Sequence, residues 1–178
     1  MLFVYMRKQP TMSVTLAIPY ADMAKQEIND FREKFDCGEP SLNEYLVNTM
    51  GQHNKKGITP SFLLPSTDPL HPLIGYYSLT HGQLDCSGLT ESTKKKLKLP
   101  NVVPILRLSR LAIDKNFAKQ GFGKILMAEV FYRAQISKQN GGCVFIVVDA
   151  LHEEAKKYYE AYGFESMVDN PLQLYLKV

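Results

Sequence analysis

Apolar and polar positions along the 178-residue chain change period several times, and each change marks an element. Val14, Leu16 and Ile18 alternate with polar or small residues, the period of a half-buried strand. Residues 21–31 read as a helix. The loop Phe35-Asp36-Cys37-Gly38-Glu39-Pro40 follows, and then Ser41 and Glu44 stand at capping-box spacing. Leu42, Tyr45, Leu46, Thr49 and Met50 share one helical face, which carries the predicted helix to about His53. Two strand patterns, residues 61–64 and 73–80, flank Pro65-Ser66-Thr67-Asp68-Pro69 and predict a hairpin.

Residues 86–100 are polar, with room for one short helix, and residues 102–113 form a long strand pattern interrupted by Pro104. Over residues 124–137, Leu126, Val130 and Ala134 recur every four positions beside Met127 and Phe131, an amphipathic helix that Gly141-Gly142 would end. Residues 143–148 are a continuous apolar run, as expected of a strand buried on both faces. Residues 153–162 predict a helix with Ala155, Tyr158, Tyr159 and Tyr162 on one side and Gly163 just past its end. Leu172, Leu174 and Leu176 alternate with Gln173, Tyr175 and Lys177, a half-exposed strand. No repeat or linker divides the chain. The order predicts one α/β domain over residues 12–178, a mixed, partly parallel central sheet flanked by helices. Residues 1–11 read as a disordered leader, with Met12 as an alternative start.

The formal charge of +3 is too mild to imply a nucleic-acid partner by itself. Cys37, Cys86 and Cys143 are odd in number and far apart, and His53, His71, His81 and His152 are equally scattered. These spacings suggest neither a metal site nor a disulfide framework, and a reducing cytoplasm is the simplest setting. The apolar start of the chain is short and is followed, not preceded, by Arg7-Lys8, so it does not read as a signal peptide. No apolar run approaches the ~18 residues that span a bilayer, so no membrane partner is expected.

The candidate chemistry concentrates in Leu111-Ala112-Ile113-Asp114 and in Ala118-Lys119-Gln120-Gly121-Phe122-Gly123-Lys124. A strand end, a loop with two glycines and a helix start make an anion site, because glycines admit close backbone approach and the free helix N–H groups point at the anion. The Walker A pattern fails at Ala118 and Ile125, and the dinucleotide fingerprint fails at Leu126. An ordinary strand-to-helix turn remains the plain alternative.

This order of elements and these motifs resemble the GNAT acetyltransferase superfamily, from about Val14 onward. The loop at residues 118–123 is similar to that superfamily's pyrophosphate motif, with Ala118 where Gln or Arg is usual. A narrower resemblance, to the GNAT toxins of bacterial toxin–antitoxin pairs, rests on Phe35-Asp36-Cys37-Gly38 with Leu42 and Tyr45-Leu46, on Gly75-Tyr76-Tyr77, and on Arg110-Leu111-Ala112-Ile113-Asp114. The resemblance implies acetyl-CoA as cosubstrate, no metal, the amino group of an aminoacyl-tRNA as acceptor, arrest of translation, and a ribbon-helix-helix antitoxin as partner. It leaves room for a homodimer.

It further implies that Leu111, Ala112, Ile113, Lys119, Gln120, Gly121, Gly123, Lys124 and His152 hold the cofactor, His152 alternatively capping its helix. Tyr159 takes the role of the acid that protonates the leaving CoA thiolate. A tyrosine of pKa about 10 stays protonated at neutral pH and suits that task. Backbone N–H groups at the end of the 111–113 strand would polarise the thioester carbonyl. Lys94, Lys95, Lys96 and Arg110 are the expected RNA contacts. A solvated lysine face, and a buried ion pair for Arg110, are the plain alternatives. Acetylation of a small amine or a protein N-terminus stands beside the tRNA reading, and so does a non-catalytic acetyl-CoA- or antitoxin-binding module.

Overall fold

The computed structural model describes residues 17–178. The expected leader, Met12 and the first strand's Val14 and Leu16 lie outside the described residues. Of that strand, β1 (Ile18–Pro19) is described. Helix α1 (Lys25–Lys34) starts later than its pattern predicts, because Ala24 takes the cap position and its N–H donates to the Glu27 carboxylate at 3.0 Å. The next helix runs as α2 (Pro40–Glu44), a π turn (Tyr45–Thr49) and α3 (Met50–Lys55). The Ser41–Glu44 capping box does not form. Pro40 supplies the first turn with a preset φ and no orphan N–H, and Glu39 is the cap residue.

The hairpin is β2 (Ser61–Pro65) and β3 (Leu73–Asp85), paired antiparallel. Helix α4 (Glu91–Leu97), capped by the Thr90 side chain, fills the polar stretch. Strand β4 (Val102–Ile113) passes through Pro104 unbroken. The Pro104 carbonyl accepts from Val144 N–H, so this residue's polar groups face away from β3 and no β3 bond is lost to the ring. Helix α5 (Phe122–Asn140) starts right after Gly121 and ends at Gly141. Strand β5 (Phe145–Asp149), helix α6 (Glu153–Glu160), a short β6 (Glu165–Ser166) that the pattern does not announce, and β7 (Gln173–Lys177) complete the chain.

The seven strands form one sheet in the order β1-β2-β3-β4-β5-β7-β6, antiparallel throughout except for β4 and β5. Alternation along the strands splits the core into two faces. On one, Tyr77, Leu106, Leu108 and Val148 pack with Leu126, Met127, Val130 and Tyr159 of α5 and α6. On the other, Leu63, Leu73, Tyr76 and Ala112 pack with α1–α3, while Ile105, Phe145, Val147 and Tyr175 pack beside α4. Burying each large apolar side chain stabilises the fold by about 1.5–3 kcal/mol. Tyr175 is therefore not the exposed position that its alternation implies: it is 2% exposed, because the α4 layer covers β7 on its second face.

The adjacent tyrosines of β3 tie both layers down. Tyr76 Oη donates to the Leu42 carbonyl at 2.7 Å, anchoring α2. Tyr77 Oη donates to the buried Glu129 carboxylate of α5 at 3.1 Å and accepts from Arg133 Nε at 2.5 Å.

Candidate active site

The site exists because the two parallel strands part. β4 and β5 pair from Ile105/Phe145 to Leu108/Val148 and no further. Beyond that point β4 stays with β3, and β5 stays with β7. The β3–β4 register shifts here: Ser78 opposes Arg110 and Leu79 opposes Leu108, which leaves Ser109 as an extra residue in β4. An extra residue bends a strand and sharpens its twist. Asp114 N–H donates to the Ile74 carbonyl at 2.9 Å, which sets the phase of the antiparallel ladder. The peptide groups of Ala112 then face β3, and those of Leu111 and Ile113 face the gap.

The gap opens into a cleft of about 790 Å³ that passes through the sheet. Leu111, Ile113, Lys119, Gly121, Gly123 and Lys124 line it on the α5 side, and Glu39, Ser41, Leu42 and Arg110 line it on the α2 side. At the α5 end Gly121 caps the helix with φ +92°, a left-handed conformation that L side chains rarely adopt. The first N–H groups of α5 have no acceptor within the helix and could receive an anion, with Lys119 and Lys124 adding positive charge. A Cβ on Gly123 would lie 2.8 Å from Tyr158 Oη, so this glycine lets α6 close on the loop.

Two sequence-predicted cofactor residues are not brought to the cleft. The Ala112 side chain is buried in the α1–α3 core, because alternation turns it to the opposite face. Gln120 folds back to donate to the Asn116 carbonyl at 2.8 Å.

The α6 wall carries Ala155, Tyr158, Tyr159 and Tyr162. His152 caps this helix: Nδ1 accepts from Ala155 N–H at 3.2 Å, and Nε2 lies 3.0 Å from Glu39 Oε1. Tyr158 bonds Tyr162 through their hydroxyls at 3.3 Å. Among the described residues the Tyr159 hydroxyl has no hydrogen-bond partner, and burial alone raises its pKa, so it remains a proton donor at neutral pH. Tyr159 stands edge-on to both Tyr158 and Phe164, which fixes its ring.

The opposite wall is held by the loop between α1 and α2. The buried Asp114 carboxylate accepts from Asp36 N–H at 2.9 Å, and the Asp36 carbonyl accepts from Lys115 N–H at 2.9 Å. The Asp36 carboxylate pairs with Lys115 Nζ at 2.7 Å and accepts from Gly38 N–H and Asn43 Nδ2. The Lys115 ammonium first, and then the Gly38 and Asn43 donors, hold the Asp36 pKa at about 2. Asn43 Oδ1 also receives Cys37 N–H and its thiol, so Cys37 is a structural member of the loop.

Of the expected RNA contacts, Arg110 lines the cleft. It is exposed, its guanidinium lies 5.0 Å from the Tyr45 ring centroid, and it is not in a buried ion pair. Lys94, Lys95 and Lys96 lie outside the cleft on the last turn of α4, on the same sheet face as α1–α3, with Lys94 paired to Glu91. The sequence reading missed Arg107 and Asp149, which pair across the cleft floor while Gln173 donates to the second Asp149 oxygen. Charges inside apolar strand runs were the signal for both. It missed Glu39 too, which carried no signal beyond its place beside the Phe35–Gly38 motif. Among the described residues no group of three potential metal ligands occurs, and no helix is long and apolar enough to cross a membrane.

Comparison with known proteins agrees with this geometry. Residues 74–166 match the acetyltransferase (GNAT) domain. A tRNA-acetylating toxin of Mycobacterium tuberculosis is 30% identical over 142 residues, which is 80% of this chain and 82% of that protein. The structure of AtaT complexed with acetyl-methionyl-tRNAfMet superposes with a TM-score of 0.75 at 29% identity, covering 82% of this chain and 86% of that one. A tyrosine-to-phenylalanine mutant of the toxin AtaT, bound to the C-terminus of the antitoxin AtaR and acetyl-CoA, superposes with a TM-score of 0.70 at 26% identity, covering 83% and 85%. With a sheet split between its parallel strands and a glycine loop opening the next helix, the chain belongs to the GNAT acetyltransferase family.

Proposed function

We propose that this protein is a cytoplasmic toxin that transfers the acetyl group of acetyl-CoA to the amino group of an aminoacyl-tRNA, blocking translation until a ribbon-helix-helix antitoxin covers it. The observation that carries the reading is the free hydroxyl of Tyr159 in a cleft that opens to both faces of the sheet. A cofactor can then enter beside α5 while a separate acceptor approaches from the α2 side. The kinship with a tRNA-acetylating toxin over 80% of the chain supports the choice of acceptor.

The residues present suit acetyl-CoA. The α5 N-terminus with Lys119 and Lys124 would hold the pyrophosphate, and the free peptide groups of Leu111 and Ile113 would pair with the pantetheine amides and orient the carbonyl. Acetyl-CoA supplies the acetyl group as an activated thioester. Tyr159, kept protonated by burial, donates its phenolic proton to the departing sulfur. The neutral acceptor amine attacks the thioester carbonyl, the C–S bond breaks, and the proton lost from the nitrogen passes to water, from which the Tyr159 phenol is restored. Arg110, exposed over Tyr45, offers a cation to the RNA backbone.

The test is transfer of labelled acetyl from acetyl-CoA to a pool of charged tRNAs. Label on the amino acid of at least one charged tRNA is the expected result, and expression without an antitoxin should arrest growth unless Tyr159 is Phe. Ready transfer to polyamines with none to any charged tRNA would overturn the acceptor and leave the acetyltransferase chemistry in place.

A further inference from the structure

Two carboxylates line the cleft, Glu39 and Asp149. Asp149 is fully engaged: one oxygen pairs with Arg107, and the other accepts from Gln173 Nε2 at 2.7 Å. Glu39 is different. Its Oε1 meets His152 Nε2 at 3.0 Å, and among the described residues its Oε2 has no partner. The bond to His152 has a defined direction. Nδ1 accepts from Ala155 N–H, so the proton of the neutral ring sits on Nε2 and is donated to Glu39. The carboxylate is therefore held in one orientation from a helix terminus on the far side of the split sheet.

Position gives that charge a use. Glu39 is the cap residue of α2, on a loop fastened to the end of β4 through Asp114 and Lys115. It stands on the α2 side of the cleft, across the sheet from the α5 loop with its two lysines. Tyr159, His152 and Glu39 line the same cleft. Of the other cleft cations, Arg107 pairs with Asp149, and Arg110 lies over the Tyr45 ring, where it is open to the RNA backbone. The cleft thus has a cationic end for phosphates and one uncommitted anion on the acceptor side.

We propose that Glu39, oriented by His152, binds the acceptor's α-amino group as it arrives as an ammonium and holds it in line with the thioester; the ammonium gives a proton to water, and the neutral nitrogen then attacks. This rests on the preceding reading that an amine enters from the α2 side. It makes Glu39 the group that selects an aminoacyl end over an uncharged or already acylated one, since neither carries a cation there.

The experiment compares the wild type with Glu39→Gln. Gln keeps the size of the side chain, and the cap position uses no side-chain bond, so the helix should form. Acetyl-CoA affinity by calorimetry checks the fold and should be unchanged. Binding is then measured for an aminoacyl-tRNA and for the same tRNA carrying the α-hydroxyacyl analogue, as competitive inhibitors of acetyl transfer. The wild type should prefer the amine by about tenfold or more, the worth of a charge pair in a partly desolvated site, and Glu39→Gln should lose that preference. The same discrimination in both proteins overturns the assignment. If the wild type acetylates no charged tRNA, the tRNA reading falls on that control alone. The comparison then uses an amino acid amide and its α-hydroxy analogue, and equal discrimination again overturns the role of Glu39.

Discussion

Tyr159 is distinguished from its neighbours by what its hydroxyl does not touch. Tyr158 and Tyr162 bond each other, whereas burial alone acts on Tyr159. Tyr159→Phe should keep the fold and the acetyl-CoA affinity, because the ring still packs against Tyr158 and Phe164. Its turnover at saturating substrate should fall by about 10²–10⁴-fold, the usual contribution of a general acid. Calorimetry and steady-state rates check both halves. The α5 loop offers a second residue-scale test. Gly123→Ala places a methyl 2.8 Å from Tyr158 Oη, so acetyl-CoA binding should weaken, and adding Tyr158→Phe should restore part of it by removing that oxygen. Gly121→Val should not be rescued this way, since its cost is the φ of +92° and no atom of the described residues lies within 4 Å of its Cβ. Leu111, Ile113, Lys119, Gly121, Gly123, Lys124, His152 and Tyr159 could be read from the chain and do meet in one cleft. Ala112 and Gln120 could not be separated from them by reading. Strand parity hides Ala112 on the other face, and a local side-chain bond draws Gln120 away.

At the scale of elements, the loop from Phe35 to Glu39 behaves as a fastened strap whose buckle is Asp36. Its carboxyl has a pKa of about 2 in the folded chain against 3.8 unperturbed. A lowered folded pKa contributes stability above the unfolded value, and that contribution is lost as pH falls through the folded one. Hydrogen exchange at Gly38, whose N–H donates to Asp36, should therefore accelerate relative to core amides as pH drops from about 4 to about 2. Asp36→Asn should remove this pH step. The elements themselves were largely legible, because the 3.6 and 2.0 periods of α5 and β5 are strong. The errors have physical causes. Pro40 pre-empted the Ser41–Glu44 box, and the α4 layer buried Tyr175 from the side that alternation left to solvent.

Across the whole molecule, the two sheet faces divide the labour. α5 and α6 cover the side proposed for the cofactor, and the α1–α3 and α4 groups leave between them the face that carries Arg110 and, further along, Lys94, Lys95 and Lys96. Removing the three lysines together should lower acetylation of charged tRNA at moderate salt. It should also flatten the salt dependence, by about one unit of slope for each phosphate no longer neutralised. Acetyl-CoA binding by the same variant should be unaffected, because none of the three lines the cleft. This layout was invisible in the sequence: nothing in a run of lysines says which face of a sheet it will share.

Ser109 makes β4 a strand written in two reading frames. Before it, even-numbered residues such as Leu106 and Leu108 face α5; after it, odd-numbered Leu111 and Ile113 do. Straightening the strand with Ser109 retained would turn every later side chain over, sending Leu111 and Ile113 toward α1–α3 and Ala112 toward α5. The most regular version of this sheet is thus a version without a working gap, and the hydrophobic code of β4 makes sense only when read with that single-letter insertion in place.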